Sequence, residues 1–358
     1  MKRALALLLT LGLLVLPLCA CHDPEEWSDT EYCPEVLDKI RGGEEPSQPV
    51  DAPYEPTREE FLQTLDFDRI HASILSARDA DEDTSAPFGE ELYQKVFSVY
   101  DSYEDPFGFC AVDLKTGTVL SHGLDRELFA ASIIKASYVF WVCHEIDAGR
   151  GTLEEILPYR QSDRRGGTGA IRDLDGTEYS VSECIHYIFA VSDNDAYSML
   201  NRRFGTDGYN TFLRSMDMKS MFLGSDSLWG YLTPRDAALL FCEILRYAAS
   251  GEGCSGLLLD EMAAAEDNWI AEALKEKTAC EVPMKYGWVN GSFSECAAVL
   301  DREHPMLLSV YTTGNRTDGD IAYLKEQASC LFDCLASASS PAGTDGAGNT
   351  GLPKEKKP

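Results

Sequence analysis

Apolar and polar residues follow several different rhythms along this chain, and each change of rhythm marks a part. Residues 4–18 are almost entirely apolar and follow Lys2 and Arg3. That run is too short to cross a bilayer as a mature helix and has the make-up of an export signal over residues 1–20. Residues 21–57 are rich in Pro, Glu and Asp without a sustained period, which predicts a flexible tether. Helical spacing appears at 61–75, within an N-terminal extension over 58–85, and again at 90–103. Two short strand-like runs, 108–113 and 118–122, flank Leu114-Lys115-Thr116-Gly117 and predict a hairpin. From 130 to about 245 the pattern is mostly helical. Three more strand-like runs follow at 282–290, 293–300 and 306–312, the first two joined by the turn Asn290-Gly291. A helix over 318–336 closes the domain, and the Ser/Gly/Pro-rich residues 337–358 predict a disordered tail.

Strands at both ends of this order, with a helical block between them, can meet in one sheet. The expected fold is α+β over residues 86–336: an antiparallel sheet flanked by helices, an all-helical lobe, and a cleft between the two.

Charge narrows the partners. Sixty acidic residues against 31 basic ones give a net charge of −29, a field that repels a phosphate backbone and argues against nucleic-acid binding. A monomer is expected. The apolar leader ends in Leu18-Cys19-Ala20-Cys21, which resembles a bacterial lipobox, with Cys21 the residue that would carry lipid. The expected location is therefore extracytoplasmic, held to a bacterial membrane by a lipid anchor. Twelve cysteines are present, and setting aside Cys19 and Cys21 leaves an even number. Disulfides are permitted in an exported protein, but spacing does not give their pairing. Cys330 and Cys334 lack a second ligand pair, so neither a metal nor another cofactor is expected.

The chemistry concentrates in three places. Ser132 and Lys135 stand three apart at the start of a helix and share a face. A serine hydroxyl needs an adjacent base to act as a nucleophile, and a lysine in a dry cleft near other cations can lose its proton and serve. Alone, this pair is a weak motif. Ser192-Asp193-Asn194 follows a helical run, and Lys285-Tyr286-Gly287 opens a strand. Together, in this order, the three elements resemble the S-x-x-K, S-D-N and K-T-G set of class A β-lactamases and penicillin-binding proteins. The resemblance covers roughly residues 86–336 and takes in the hairpin over 110–121, Leu232-Thr233-Pro234 opening a helix, and Tyr311-Thr312-Thr313 ending a strand.

The resemblance implies roles. Ser132 would be the nucleophile and Lys135 its base. Ser192 would relay a proton to the leaving nitrogen, and Lys285 would hold Ser192 and a substrate carboxylate. Asn194 would bind the substrate amide, Asp193 would brace its loop, Gly287 would admit substrate backbone, and the Trp288 N–H would be the second oxyanion donor. The implied partners are β-lactams or D-alanyl cell-wall peptides. Lys115-Thr116-Gly117 is a literal K-T-G but precedes Ser132; Gly251 to Gly256 fits a dinucleotide fingerprint but follows a helix; His144-Glu145 lacks the second His of a zinc protease. No G-x-S-x-G elbow occurs.

Two departures stand out. Class A enzymes deacylate with a Glu between S-D-N and the Thr-Pro segment, and no Glu lies between Ser192 and Pro234. Asp226 is the only carboxylate between Met218 and Thr233 and the candidate substitute. Tyr286 stands where the family has Thr or Ser, which would narrow the site. A serine acyl-transfer enzyme with slow deacylation is the leading reading. A non-hydrolytic penicillin-binding sensor or cell-wall-associated lipoprotein is the rival.

Overall fold

The computed structural model describes residues 56–80, 88–171, 176–224 and 227–339. Cys21, the leader, most of the tether, Asp226 and the tail from 340 onward lie outside the described residues.

Two short helices lead in, α1 (Arg58–Leu62) and α2 (Phe67–Ser76). Thr57 caps α1 by a reciprocal bond with Glu60, and Asp66 caps α2. Helix α3 (Glu90–Ser102) precedes strands β1 (Pro106–Asp113) and β2 (Val119–His122), joined by the Lys115-Thr116-Gly117 turn; the two-residue β3 (Leu128–Phe129) follows. The helical block then runs α4 (Ile134–Asp147), α5 (Val181–Ala190), α6 (Asn194–Phe204), α7 (Tyr209–Ser215), α8 (Pro234–Ser250), α9 (Ser255–Ala263) and α10 (Trp269–Leu274). Short strands interrupt it: β4 (Ile156–Pro158) pairs with β5 (Glu178–Ser180), and β6 (Tyr231–Leu232) pairs back with β3. Strands β7 (Met284–Val289), β8 (Ser292–Val299) and β9 (Met306–Thr312) and helix α11 (Asp318–Ser339) complete the domain.

The main sheet has the order β2-β1-β9-β8-β7, every neighbouring pair antiparallel. The expected α+β architecture is therefore present. Strands β8 and β9 are buried along their whole length because both faces of the sheet are covered. One face packs on α3, α10 and α11 through Phe109, Phe293, Leu324 and Leu331. The other packs on the helical lobe through Cys110, Cys296, Ile133 and Leu239. Helix α4 runs through this second core. Its residues from Ile134 to Cys143 are all buried, and apart from Lys135 and Ser137 they are mostly apolar on every side of the helix. Strand β7 is an edge of the sheet; Met284 to Gly287 are buried, and its end carries Trp288 and Val289 at 38% and 41% exposure.

Candidate active site

Three local devices bring the chemistry together. The first is the turn that feeds α4. Ala131–Ile133 is a short 3-10 segment, and Ala131 holds φ 45°, a left-handed value that costs a residue with a Cβ of the order of 1 kcal/mol. Ser132 lies in this segment and is 8% exposed. The second is the loop between α5 and α6, where Ser192 also takes a left-handed conformation, φ 55°. The third is strand β7. A Cβ on Gly287 would stand 2.6 Å from the Ala130 carbonyl and 3.1 Å from the backbone nitrogens of Ser132 and Ile133. The strand therefore rests directly on the Ser132 turn, and only glycine fits that approach.

Lys135 and Lys285 are both fully buried and meet at Ser192. Lys285 Nζ lies 3.1 Å from Ser192 Oγ and 3.1 Å from the Tyr286 carbonyl. Lys135 Nζ lies 3.3 Å from the same Oγ, 2.5 Å from the Ser192 carbonyl and 2.6 Å from Asn194 Oδ1. Burial, reinforced by the positive charge of Lys285, holds the Lys135 pKa well below its usual value. Burial likewise brings Lys285 down to about 7, against the opposing pull of Glu295 and Asp267. A neutral Lys135 amine has two N–H groups, enough for the Ser192 carbonyl and Asn194 Oδ1. Its lone pair remains to take a proton. No hydrogen bond joins Ser132 to Lys135. Ser132 stands in a 3-10 turn rather than an α-turn, and the amine is turned toward the Ser192 loop instead.

The loop itself is braced as its sequence suggests. Asp193 is fully buried; one oxygen caps α6 through the Asp195 and Ala196 N–H groups, and the other accepts from Ala170 and Ile171. Asn194 donates to the Gly166 carbonyl, and Thr168 donates to the Ser192 carbonyl. Gly167 and Gly169 pack so close to Asn194 and Asp193 that a Cβ would collide. The Gly166-to-Gly169 segment thus lies against the Ser192 loop.

Other neighbours were not foreseen. Tyr286 does not protrude into open space. Its ring is buried between Trp269 and Arg316, and the Arg316 guanidinium, 5.3 Å from that ring, also lies over Trp269 and Trp288 while pairing with Asp267 at 2.5 Å. Glu295, opposite Tyr286 in the sheet, is fully buried and accepts the Trp269 and Ile270 N–H groups. Burial nevertheless pushes its carboxyl up to about 8. A glutamate within the otherwise apolar run of β8 was the signal for it. Trp229 lies with its ring 5.6 Å from Lys135 Nζ; it sits in the stretch between Ser192 and Pro234 that contains no Glu. That segment is pinned by side chains: Tyr209 donates to the Met221 carbonyl, Asn210 holds both polar groups of the Leu223 backbone, and Asp236 accepts from Lys219 and Ser220. Asp217 faces outward toward His71.

Comparison with known proteins follows this geometry. The profile of the β-lactamase enzyme family matches residues 91–331. No curated protein sequence matches. Among solved structures, a β-lactamase from Sphaerobacter thermophilus is 20% identical and superposes with a TM-score of 0.62 over 70% of this chain and 98% of its own. A point mutant of PBP-A, held as an acyl-enzyme complex with penicillin G, is 19% identical, with a TM-score of 0.61 over 68% of this chain and 95% of its own. An ancestral class A β-lactamase is 20% identical, with a TM-score of 0.55 over 67% and 98%. At these identities the superpositions speak to fold.

Proposed function

Since the chain belongs to the β-lactamase enzyme family, we propose that it is a serine acyl-transfer enzyme whose Ser132 forms a long-lived acyl-enzyme with β-lactams or D-alanyl cell-wall peptides. The observation that carries this reading is the meeting of two buried lysines on Ser192 Oγ, at 3.1 and 3.3 Å, beside a strand seated on the Ser132 backbone.

Lys135, depleted of its proton, takes the Ser132 proton once a substrate displaces its resting contacts. The hydroxyl oxygen attacks the amide carbonyl. The oxyanion forms beside the Ser132 and Trp288 N–H groups. Ser192, between the two lysines, passes a proton to the departing nitrogen, and Lys285 supplies positive charge for an acidic group on the substrate. Asn194 and Gly287 bind substrate amide and backbone along the edge of β7.

Release is the weak step. Water attack on the ester needs a second positioned base, and losing one costs ~10² to 10⁴ in rate. No Glu occupies the segment from Asp193 to Pro234, and Trp229 places an indole over Lys135. A penicillin-binding sensor that stays acylated is the second reading, favoured by that same missing base. Intact-mass spectrometry with penicillin G over time tests both. We expect one covalent adduct per chain, absent in Ser132→Ala, that decays over hours. No adduct in the wild type would overturn the reading. Fast turnover abolished by Asp226→Asn would return the protein to the β-lactamases proper.

A further inference from the structure

Away from this site, two thiols occupy one buried pocket. Cys143 lies on α4, the helix that starts beside Ser132, and Cys254 caps α9 from a distant part of the chain. Both are buried, and each thiol lies close enough to shift the other's pKa. Independent contacts hold the two backbones in this relation. Asp147, one turn beyond Cys143 on the same face of α4, accepts the Cys254 N–H at 3.1 Å. Tyr247 donates to Asp147 and accepts from the same Cys254 N–H at 3.0 Å. A Cβ on Gly253 would overlap the Asp147 carboxylate, so the residue before Cys254 must be glycine for this approach, and it takes φ 57°. Both cysteines are free thiols here, as are the others among the described residues.

We propose that Cys143 and Cys254 form an oxidation site, with Cys254 attacking hydrogen peroxide and Cys143 resolving the product to a disulfide that ties the helix starting beside Ser132 to α9. The two thiols are unequal in the sense this requires. The neighbouring Cys143 thiol draws the Cys254 pKa below the ordinary thiol value, while the proximity of Cys254 together with burial pushes Cys143 up. Cys254 keeps 3% exposure against none for Cys143, so a small oxidant reaches Cys254 first. Glu154 and Asp147 are the acidic groups facing it. In the first step the Cys254 thiol gives up its proton and its sulfur attacks one peroxide oxygen. The O–O bond breaks, one water leaves, and a sulfenic acid remains. In the second, the Cys143 sulfur attacks the Cys254 sulfur, the S–O bond breaks, and a second water leaves with the Cys143 proton. Two electrons pass from the two thiols to one peroxide.

The inference is independent of the acyl chemistry. The test uses the full chain, reduced and then given one equivalent of hydrogen peroxide. Peptide mapping of the wild type should show a Cys143–Cys254 cross-link and the loss of two hydrogens in intact mass. The closed loop is long, so oxidation should raise Tm by roughly 10 °C, reversed by a thiol reductant. In Cys143→Ala the resolving thiol is gone, and dimedone should label Cys254. The wild-type mapping needs no variant, so a misfolded Cys143→Ala leaves the proposal testable. A different cross-linked pair, no cross-link at all, or dimedone labelling at other cysteines with Cys254 untouched would overturn it.

Discussion

Gly287→Ala is the sharpest test of how the fold positions its nucleophile. The new methyl would lie 2.6 Å from the Ala130 carbonyl and 3.1 Å from two backbone nitrogens, whereas ordinary contact begins near 3.4 Å. All three neighbours are backbone atoms, so no side chain can swing aside. Relief requires β7 and the Ser132 turn to separate by about 0.8 Å, because interiors this closely packed cannot absorb the overlap locally. Overpacking of this kind costs about 1–3 kcal/mol of stability, which the domain should survive. Catalysis should suffer more, since misplacement by about 1 Å costs on the order of 10²-fold. The assay is the acylation rate with a fluorescent penicillin, read by gel, with Tm measured in parallel. We expect a folded variant with Tm lowered by several degrees and acylation slowed by ~10²-fold or more. Wild-type acylation in the variant would refute the claim that β7 sets the geometry of Ser132.

Three further predictions follow from the electrostatics and the sequence. Lys135 must be neutral to accept a proton and its pKa is depressed, so acylation should rise with pH and level off below the ordinary lysine range; Lys135→Arg, which cannot deprotonate and sets a larger, permanent charge in a fully buried site, should abolish acylation and lower Tm. Glu295 has its folded pKa raised from 4.5 to about 8, so the stability it contributes is full below 4.5 and is lost as pH climbs to 8. Urea titrations across that window should show a falling midpoint that flattens in Glu295→Gln. Finally, Cys21→Ala should move the expressed protein from the membrane fraction to the soluble one; unchanged retention in the membrane would argue against a lipid on Cys21.

Much of the fold could be read from the chain because the main sheet obeys local rules. Strands β7, β8 and β9 begin and end within two residues of their apolar runs, and Asn290-Gly291 turns between the first two. The pairs β4–β5 and β3–β6 were hidden inside a stretch that reads as helical, because two or three residues are too few to carry a period. At the site, residue types and order pointed to Ser132, Lys135, Ser192 and Lys285, while the contacts among them depended on packing. The Lys135 amine meets Asn194 and the Ser192 carbonyl on a loop against which Gly167 and Gly169 pack closely, a contact between distant segments. Tyr286 looked like an obstruction and turns out to be stacked beneath Arg316, a cation distant in sequence whose role no local pattern reveals.

The exposed end of β7 has a colloidal side. An edge strand whose end carries a solvent-facing Trp288 and Val289 offers that end as a template for an extended segment, including the same end of another copy. A net charge of −29 sets copies against one another and guards that edge from a distance. The guard is only as long as the Debye length, about 8 Å at physiological ionic strength and about 3 Å in molar salt. Concentrated, salted-out solutions therefore remove the protection while leaving the sticky edge intact, and edge-to-edge association should set in there first.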